Sequence, residues 1–104
     1  MPNNPQPRIC KFAPYRNGAM RAWFSIELAS GLVLYDLRLM VGPNGPWIAM
    51  PATRQVDRDG NSRRDANGKE LWTPIIDFRN RQTRDKFRDM ALALLRRNHP
   101  EAFD

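Results

Sequence analysis

The sequence predicts an α+β domain: a meander-like antiparallel sheet of four to five strands, with one C-terminal α-helix packed on one face. Two hydrophobic patterns predict these layers. Apolar residues alternate over residues 20–41, which is typical of strands, and recur every three or four residues after residue 83, which is typical of a helix. The third observation is length, because 104 residues can bury one core but not two. A large multidomain enzyme is therefore excluded.

The domain is predicted to cover residues 8–97. Residues 1–7 hold three prolines and no periodic pattern, so a disordered N-terminal arm is expected there. Residues 8–15 are apolar-rich and include Pro14, which suits an edge strand. Residues 98–104 follow the helix and are expected to form a tail.

The clearest predicted element is a hairpin of residues 20–29 and 32–41. Taking Ser30-Gly31 as a two-residue loop fixes the register, and it brings apolar residues opposite one another on one face. The second face then carries Trp23 opposite Arg38. The predicted apolar pairs are Leu28 with Val33, Ile26 with Tyr35, and Phe24 with Leu37.

The rest of the chain is predicted to add two short strands, a loop and the helix. Residues 42–45 form a turn, residues 46–50 a buried strand, and residues 53–70 a long polar loop. Residues 71–78 return to strand character, with Pro74 indicating an edge or a bulge. The helix begins at Asn80 or Thr83 and ends near Arg97. Its apolar stripe is Phe87, Met90, Ala91, Leu94 and Leu95.

Basic residues cluster in the last third of the chain. The net charge is +6, and residues 78–97 contain seven basic and two acidic side chains. Such a cluster favours binding to nucleic acid phosphates. Two alternatives stay open: arginine-rich coding in a GC-rich genome, and a solvated helix face on which Asp85 pairs with Arg81 and Arg88, and Asp89 with Lys86. The candidate phosphate contacts are Arg54, Arg63, Arg64, Arg81, Arg84 and Arg88.

Residues suited to catalysis do not converge in the sequence. The single His99 lies in the predicted tail, and the single Cys10 lies on a different element, so neither a catalytic dyad nor a metal site follows from spacing. Glu27 and Asp36 are interpreted as sheet-surface residues. The protein is therefore predicted not to be an enzyme, and to need no cofactor, metal or small-molecule substrate. The lack of a membrane span or signal peptide pattern predicts a cytoplasmic protein.

The second face of the sheet is expected to need a cover. It would carry Trp23, Leu34 and Met40, and an exposed apolar patch often marks an association surface. The sequence therefore predicts a homodimer with these three residues at its interface.

An ordered series of motifs resembles the stage V sporulation protein G family, the septation regulators of bacteria. MRAWFSIEL at residue 20 resembles the family's MRAxxSITL strand, and VLYDLRLMVGPNGPWIAMPATR at residue 33 resembles its VVHDIRVIxGxxGLFxAMPSxR core. The resemblance implies an antiparallel sheet with a C-terminal helix, a homodimer and direct nucleic-acid binding. It places binding at Arg54 and at Arg81 and Arg84. The chain departs from the family in its longer loop after Pro51 and in having LWTPI where the family has FRDIAHPI.

These observations together predict a regulator that binds DNA or RNA with weak sequence preference. The alternative is a protein-interaction module without nucleic-acid binding, in which the exposed aromatic residues meet a protein partner.

Overall fold

The computed structural model describes residues 6–104. Residues 1–5 of the predicted N-terminal arm lie outside the described residues. The strands and helices follow one another along the chain as β1 (Arg8–Asn17), β2 (Met20–Glu27), β3 (Val33–Gly42), β4 (Gly45–Ala49), β5 (Ala52–Arg54), β6 (Trp72–Pro74), α1 (Arg81–Asn98) and a 3₁₀ helix (Pro100–Phe103).

Four strands form one antiparallel sheet in the order β1-β2-β3-β4, and β5 and β6 form a second, two-stranded sheet. The core lies between one face of the larger sheet and α1. Alternate residues of β2 and β3 meet Ala91 and Leu95 of the helix there. The predicted α+β class, with an antiparallel sheet and a C-terminal helix on one face, is confirmed. The main sheet residues of this core are Ala22, Phe24, Ile26, Leu37 and Leu39.

The β2–β3 hairpin has a longer loop than predicted. The Leu28 N–H donates to the Leu32 carbonyl at 2.8 Å, and the Gly31 N–H donates to the Leu28 carbonyl at 2.8 Å. Residues 29–31 therefore form a three-residue loop, in which Gly31 adopts a φ of +92°. The predicted Leu28–Val33 and Ile26–Tyr35 pairs are wrong. The predicted Phe24–Leu37 and Trp23–Arg38 pairs are confirmed.

A bulge in β3 explains why the prediction fails near the loop and holds farther along. Ile26 pairs with Leu34 and Phe24 with Leu37, so Tyr35 and Asp36 together face the single residue Ser25. Asp36 has a φ of +61°, a conformation that aspartate tolerates better than most residues. The extra residue offsets the longer loop and restores the predicted register.

The bulge also reverses two side chains. Leu34 is buried in the core at 9% exposure, whereas Tyr35 is 61% exposed. Leu34 was predicted at a dimer interface on the opposite face, and that prediction is wrong. The physical cause is the one-residue register shift, which moves every side chain between the loop and the bulge to the other face.

Residues 53–70 are not an open loop. They fold into what we call the hairpin lobe, residues 52–74, in which β5 pairs with β6 and isolated bridges join Val56 to Ser62 and Arg64 to Glu70. The predicted strand over residues 71–78 is shorter than expected, because β6 ends at Pro74. Neither β5 nor β6 packs extensively against another helix or strand. The radius of gyration is accordingly 15.8 Å, against about 13 Å for a compact domain of this length.

The predicted tail, residues 98–104, is also folded. The 3₁₀ helix buries Ala102 at 6% exposure against the core. The His99 ring stacks on Phe12 with 3.7 Å between ring centres, and Arg16 donates to the Asp104 carbonyl at 2.9 Å. These contacts hold the C-terminal residues on β1, because Ala102 and Phe103 gain burial that a free tail would not provide.

Candidate nucleic-acid interface

The hairpin lobe contains two turns with the same pattern, Asp-X-X-Gly-X. In the first turn the Asp57 carboxylate accepts hydrogen bonds from the N–H groups of Asp59 at 2.9 Å and Asn61 at 3.0 Å. The second turn repeats this arrangement around Asp65, which accepts from Asn67 at 2.8 Å and Lys69 at 3.0 Å. Aspartate suits this role because its short side chain reaches the backbone two residues ahead.

The segment between the two turns lies in the middle of the lobe. The Arg63 N–H donates to the Gln55 carbonyl at 2.9 Å, and the Leu71 N–H donates to the Arg63 carbonyl at 2.8 Å. The backbone of Arg63 is therefore fixed from both sides, while its side chain is exposed. This arrangement presents Arg63 and the adjacent Arg64 to solvent from an ordered backbone.

The three candidate arginines of the lobe differ in their partners. Arg54 and Arg64 both approach Glu70, at 3.8 Å and 3.5 Å, and all three side chains are at least 31% exposed. Arg64 also donates to the Gly68 carbonyl at 2.8 Å. Within residues 6–104, the Arg63 guanidinium makes no ion pair or side-chain hydrogen bond. One carboxylate thus serves two guanidinium groups, and Arg63 remains free to bind an anion.

The helix N-terminus carries the second group of candidates. The Asn80 side chain accepts from the Thr83 N–H at 2.8 Å and caps the helix, so of the two predicted caps, Asn80 and Thr83, the structure has Asn80. No acidic residue lies in the first turn. A cavity of about 330 Å³ lies here, lined in part by Asn80, Arg81 and Arg84. A capped helix start bordered by two guanidinium groups attracts anions through both the helix dipole and the side-chain charges.

Arg88 differs from the other helix candidates. Its Nη1 lies 3.3 Å from an Asp85 oxygen and its Nε lies 3.0 Å from an Asp89 oxygen, so two carboxylates already neutralise it. Arg84 lies 3.6 Å from the same Asp85. Of the pairs in the solvated-face alternative, Asp85 with Arg88 is confirmed. The pairs of Asp85 with Arg81 and of Asp89 with Lys86 are wrong, because Arg84 is the second partner of Asp85 and Arg88 is the partner of Asp89.

The structure separates the six candidate arginines into two groups of three. Arg54, Arg63 and Arg64 lie on the lobe, while Arg81, Arg84 and Arg88 lie on α1, which packs against β1, β4 and the 3₁₀ helix. Arg81 and Arg84 share the cavity at the helix start, and no lobe arginine lines it. Any nucleic acid that contacted all six would have to reach across both regions.

The sheet face opposite the helix, which we call the outer face, retains two of the three predicted interface residues. Trp23 is 39% exposed, and the Cζ atom of Arg38 lies 5.5 Å from the centre of the Trp23 ring. Met40 is half-buried and pairs with Trp47 on β4, which is 41% exposed. Leu34 is absent from this face, as described above.

Two residues near the outer face were missed as candidates. Arg38 and Trp72 line one cavity together with Trp23. Arg38 could have been found from the predicted register, which places it opposite Trp23. Trp72 could not, because its position depends on how the lobe folds back. Within residues 6–104 no three His, Cys, Asp or Glu side chains are grouped so as to hold a metal ion, and no helix is long and apolar enough to cross a membrane.

The fold and the two arginine groups define a class: a small α+β domain with a basic helix start and a basic hairpin lobe. Comparison with known proteins gives the family. The chain is 32% identical over 85 residues to the protein named septation protein SpoVG in Lachnospira eligens. The matched region covers 82% of this chain and 81% of the relative. It therefore belongs to the SpoVG family, that is, the stage V sporulation protein G family.

Two further relatives support this assignment. Septation protein SpoVG 2 of Listeria monocytogenes is 38% identical over 77 residues, and septation protein SpoVG of Bacillus subtilis is 34% identical over 76 residues. The matches cover 74% and 73% of this chain. The chain spans about 64% of the length of the Listeria relative. No family model matches the sequence.

Proposed function

We propose that the protein is a bacterial regulator of septation or sporulation that acts by binding DNA or RNA with weak sequence preference. The names of its relatives support the regulatory process. Phosphate contacts would provide most of the affinity, because α1, the α-helix of the described residues 6–104, lacks the polar base-reading pattern of a recognition helix. That the protein is cytoplasmic and not an enzyme stays a prediction of the sequence.

The observation that carries this proposal is the helix N-terminus. Arg81 has no carboxylate within ion-pair distance among residues 6–104, and Arg84 has only the loose contact to Asp85 at 3.6 Å. Both line the same cavity, and the first turn of the helix contains no acid that would repel a phosphate. The cavity wall also includes Asp77, whose carboxylate accepts from the Phe78 N–H at 2.8 Å. We assign the main phosphate contacts to Arg81 and Arg84.

Charge reversal tests this assignment. The double variant Arg81→Glu/Arg84→Glu should weaken binding to a labelled oligonucleotide by at least tenfold, because it replaces two attractions by repulsions. Fluorescence anisotropy at two salt concentrations, with duplex DNA, single-stranded DNA and RNA, measures the effect. A matched control is Arg97→Glu combined with Arg96→Glu, which makes the same change of charge at the other end of the helix. Equal losses in both variants would contradict a local site.

We also propose a second copy of the chain as the alternative occupant of the outer face, with Trp23 and Met40 as the remaining interface residues. Because Trp23 cannot contact a partner chain and another ligand at once, a homodimer through Trp23 would exclude a ligand there. Exposed Trp47 beside Met40 favours the homodimer, since a large exposed indole next to apolar neighbours is typical of association surfaces. Light scattering after size-exclusion chromatography tests it: the chain mass is 12.1 kDa, so a homodimer would elute at about twice that value. A particle of single-chain mass at micromolar concentration would contradict it.

A further inference from the structure

A groove of about 460 Å³ lies between the outer face of the sheet and the hairpin lobe. The sheet contributes Trp23, Asp36 and Arg38, and the lobe contributes Ala52 and Trp72. Its volume falls within the range of about 300–1,000 Å³ that is typical of pockets for small organic groups. The groove is distinct from the cavity at the helix start, with which it shares no residue.

Two indole side chains line this groove and stay accessible. Trp23 is 39% exposed and Trp72 is 54% exposed. Neither position is needed to fill the core, which is formed by the opposite face of the sheet. Aromatic rings that line a groove in a basic protein provide surfaces on which planar groups stack.

The polar groups of the groove suit the edge of a nucleobase. The Nε atom of Arg38 is buried and has no hydrogen-bond partner in the described part of the chain. Arg38 itself lines the groove, so its guanidinium group provides hydrogen-bond donors there. Asp36 adds an exposed acceptor on the same wall. A base edge carries both donors and acceptors, whereas a phosphate carries only acceptors and would be repelled by Asp36.

Arg54 provides the charge that a strand entering this groove would need. It pairs with Trp72 across β5 and β6, so the two side chains lie on the same side of the lobe. Its side chain is 50% exposed, and its ion-pair contact to Glu70 is long, at 3.8 Å. A phosphate next to a stacked base could therefore be neutralised by Arg54.

We propose that this groove binds an unpaired base of a single-stranded nucleic acid. The proposal rests on the nucleic-acid binding proposed above and deepens it, because it names the strandedness of the ligand. Bases in a duplex are stacked on one another and paired, so they are not available to Trp23 and Trp72. The protein then prefers single strands, with base stacking at the groove and phosphate contacts at the arginines.

An abasic oligonucleotide separates stacking from phosphate binding. The probe is a labelled single strand of about 12 nucleotides, compared with a strand of the same length and charge whose central sugars lack bases. Trp72→Ala should weaken binding of the normal strand by about 5- to 150-fold. It should have no effect on the abasic strand, which the unchanged protein already binds weakly. The dependence of affinity on salt should stay parallel in both proteins, because no phosphate contact is lost.

Controls keep the test specific to the groove. Tyr15→Ala removes an aromatic ring of similar exposure, 50%, that lines neither the groove nor the cavity at the helix start, and it should leave binding unchanged. Trp23→Leu is the second variant, since it retains an apolar residue in β2 while removing the ring. Duplex binding should be unaffected by every tryptophan change.

The other outcomes overturn the proposal in distinguishable ways. If normal and abasic strands bind equally and Arg81→Glu/Arg84→Glu still weakens binding at least tenfold, base stacking in the groove is wrong while the proposed function stands. If no nucleic acid binds the unchanged protein, both are wrong. If Trp72→Ala or Trp23→Leu leaves single-strand binding intact but changes the particle mass measured by light scattering, a second copy covers the groove and the proposal fails.

Discussion

The hairpin lobe and the C-terminal helix each carry three candidate arginines, but they are held in place by different means. The helix rests on the core through Ala91 and Leu95, which are fully buried. The lobe has no buried residue from 52 to 74 and depends on backbone hydrogen bonds and two aspartate turns. The helix therefore presents its arginines at a fixed spacing, whereas the lobe can open without disturbing the core.

The two regions also differ in charge. Residues 78–97 carry seven basic and two acidic side chains, while the lobe carries five basic and four acidic ones. Long-range attraction of a polyanion comes from this uncompensated charge, so the helix contributes most of it. The lobe adds exposed aromatic surface instead. Under the proposed function, the helix would attract the nucleic acid and the lobe would contact its bases.

The largest expected difference between the regions concerns stability. Leu95→Ala should lower the free energy of unfolding by about 2–5 kcal/mol, because it leaves a cavity under the helix. Trp72→Ala removes a larger side chain from the lobe but should cost only about 0.5 kcal/mol, since that side chain is 54% exposed. Urea denaturation followed by circular dichroism measures both.

The Trp72 variant is also the control for the Leu95 variant, because each truncates one large apolar side chain to alanine. Similar losses of stability in the two would show that the lobe is part of the cooperative core. In that case the contrast between the regions would be wrong.

The next largest effect should be confined to the lobe. Gly68 has a φ of +81°, and alanine in that conformation costs about 1–2 kcal/mol. Because the lobe does not support the core, Gly68→Ala should open the lobe locally and speed hydrogen exchange there by about 5- to 30-fold. Exchange of the Asp65 N–H, which donates to Lys69 at 2.9 Å, is the measurement.

The twin turn provides the comparison for this variant. Gly60 has a φ of +82°, so Gly60→Ala should give a similar acceleration. Faster exchange in α1 after either change would contradict local opening.

The sequence predicted the sheet order, the helix and the core face because these depend on periodic patterns that a single chain displays. It failed at the β2–β3 loop, where a three-residue turn and a bulge at Asp36 compensate each other over eight residues. A two-residue loop without a bulge and a three-residue loop with a bulge both place Phe24 opposite Leu37. The apolar pattern could therefore not distinguish these two arrangements. The misplacement of Leu34 follows directly from that ambiguity.

The candidate site was predicted less completely than the fold. Charge counting found the basic helix, and the residue pattern limited its N-cap to Asn80 or Thr83, of which the structure selects Asn80. Helical spacing offered the pair of Asp85 with Arg88 but placed Asp89 with Lys86 instead of Arg88. Side-chain pairing on a helix depends on rotamers, which spacing alone leaves open. The groove could not be predicted at all, since it forms only where the lobe folds back beside Trp23 and Arg38.

The smallest expected effect distinguishes two arginines of the same helix. Arg81→Ala should reduce the slope of log affinity against log salt by about 0.7–0.9, the value for one phosphate contact. Arg88→Ala should leave that slope nearly unchanged, because Asp85 and Asp89 already neutralise Arg88 at 3.3 Å and 3.0 Å. Its side chain is 42% exposed, so its ion pairs should contribute less than about 1 kcal/mol to the free energy of unfolding. A salt titration of both variants decides the point. Equal slopes would mean that a bound phosphate displaces the two carboxylates, and Arg88 would then join Arg81 as a contact.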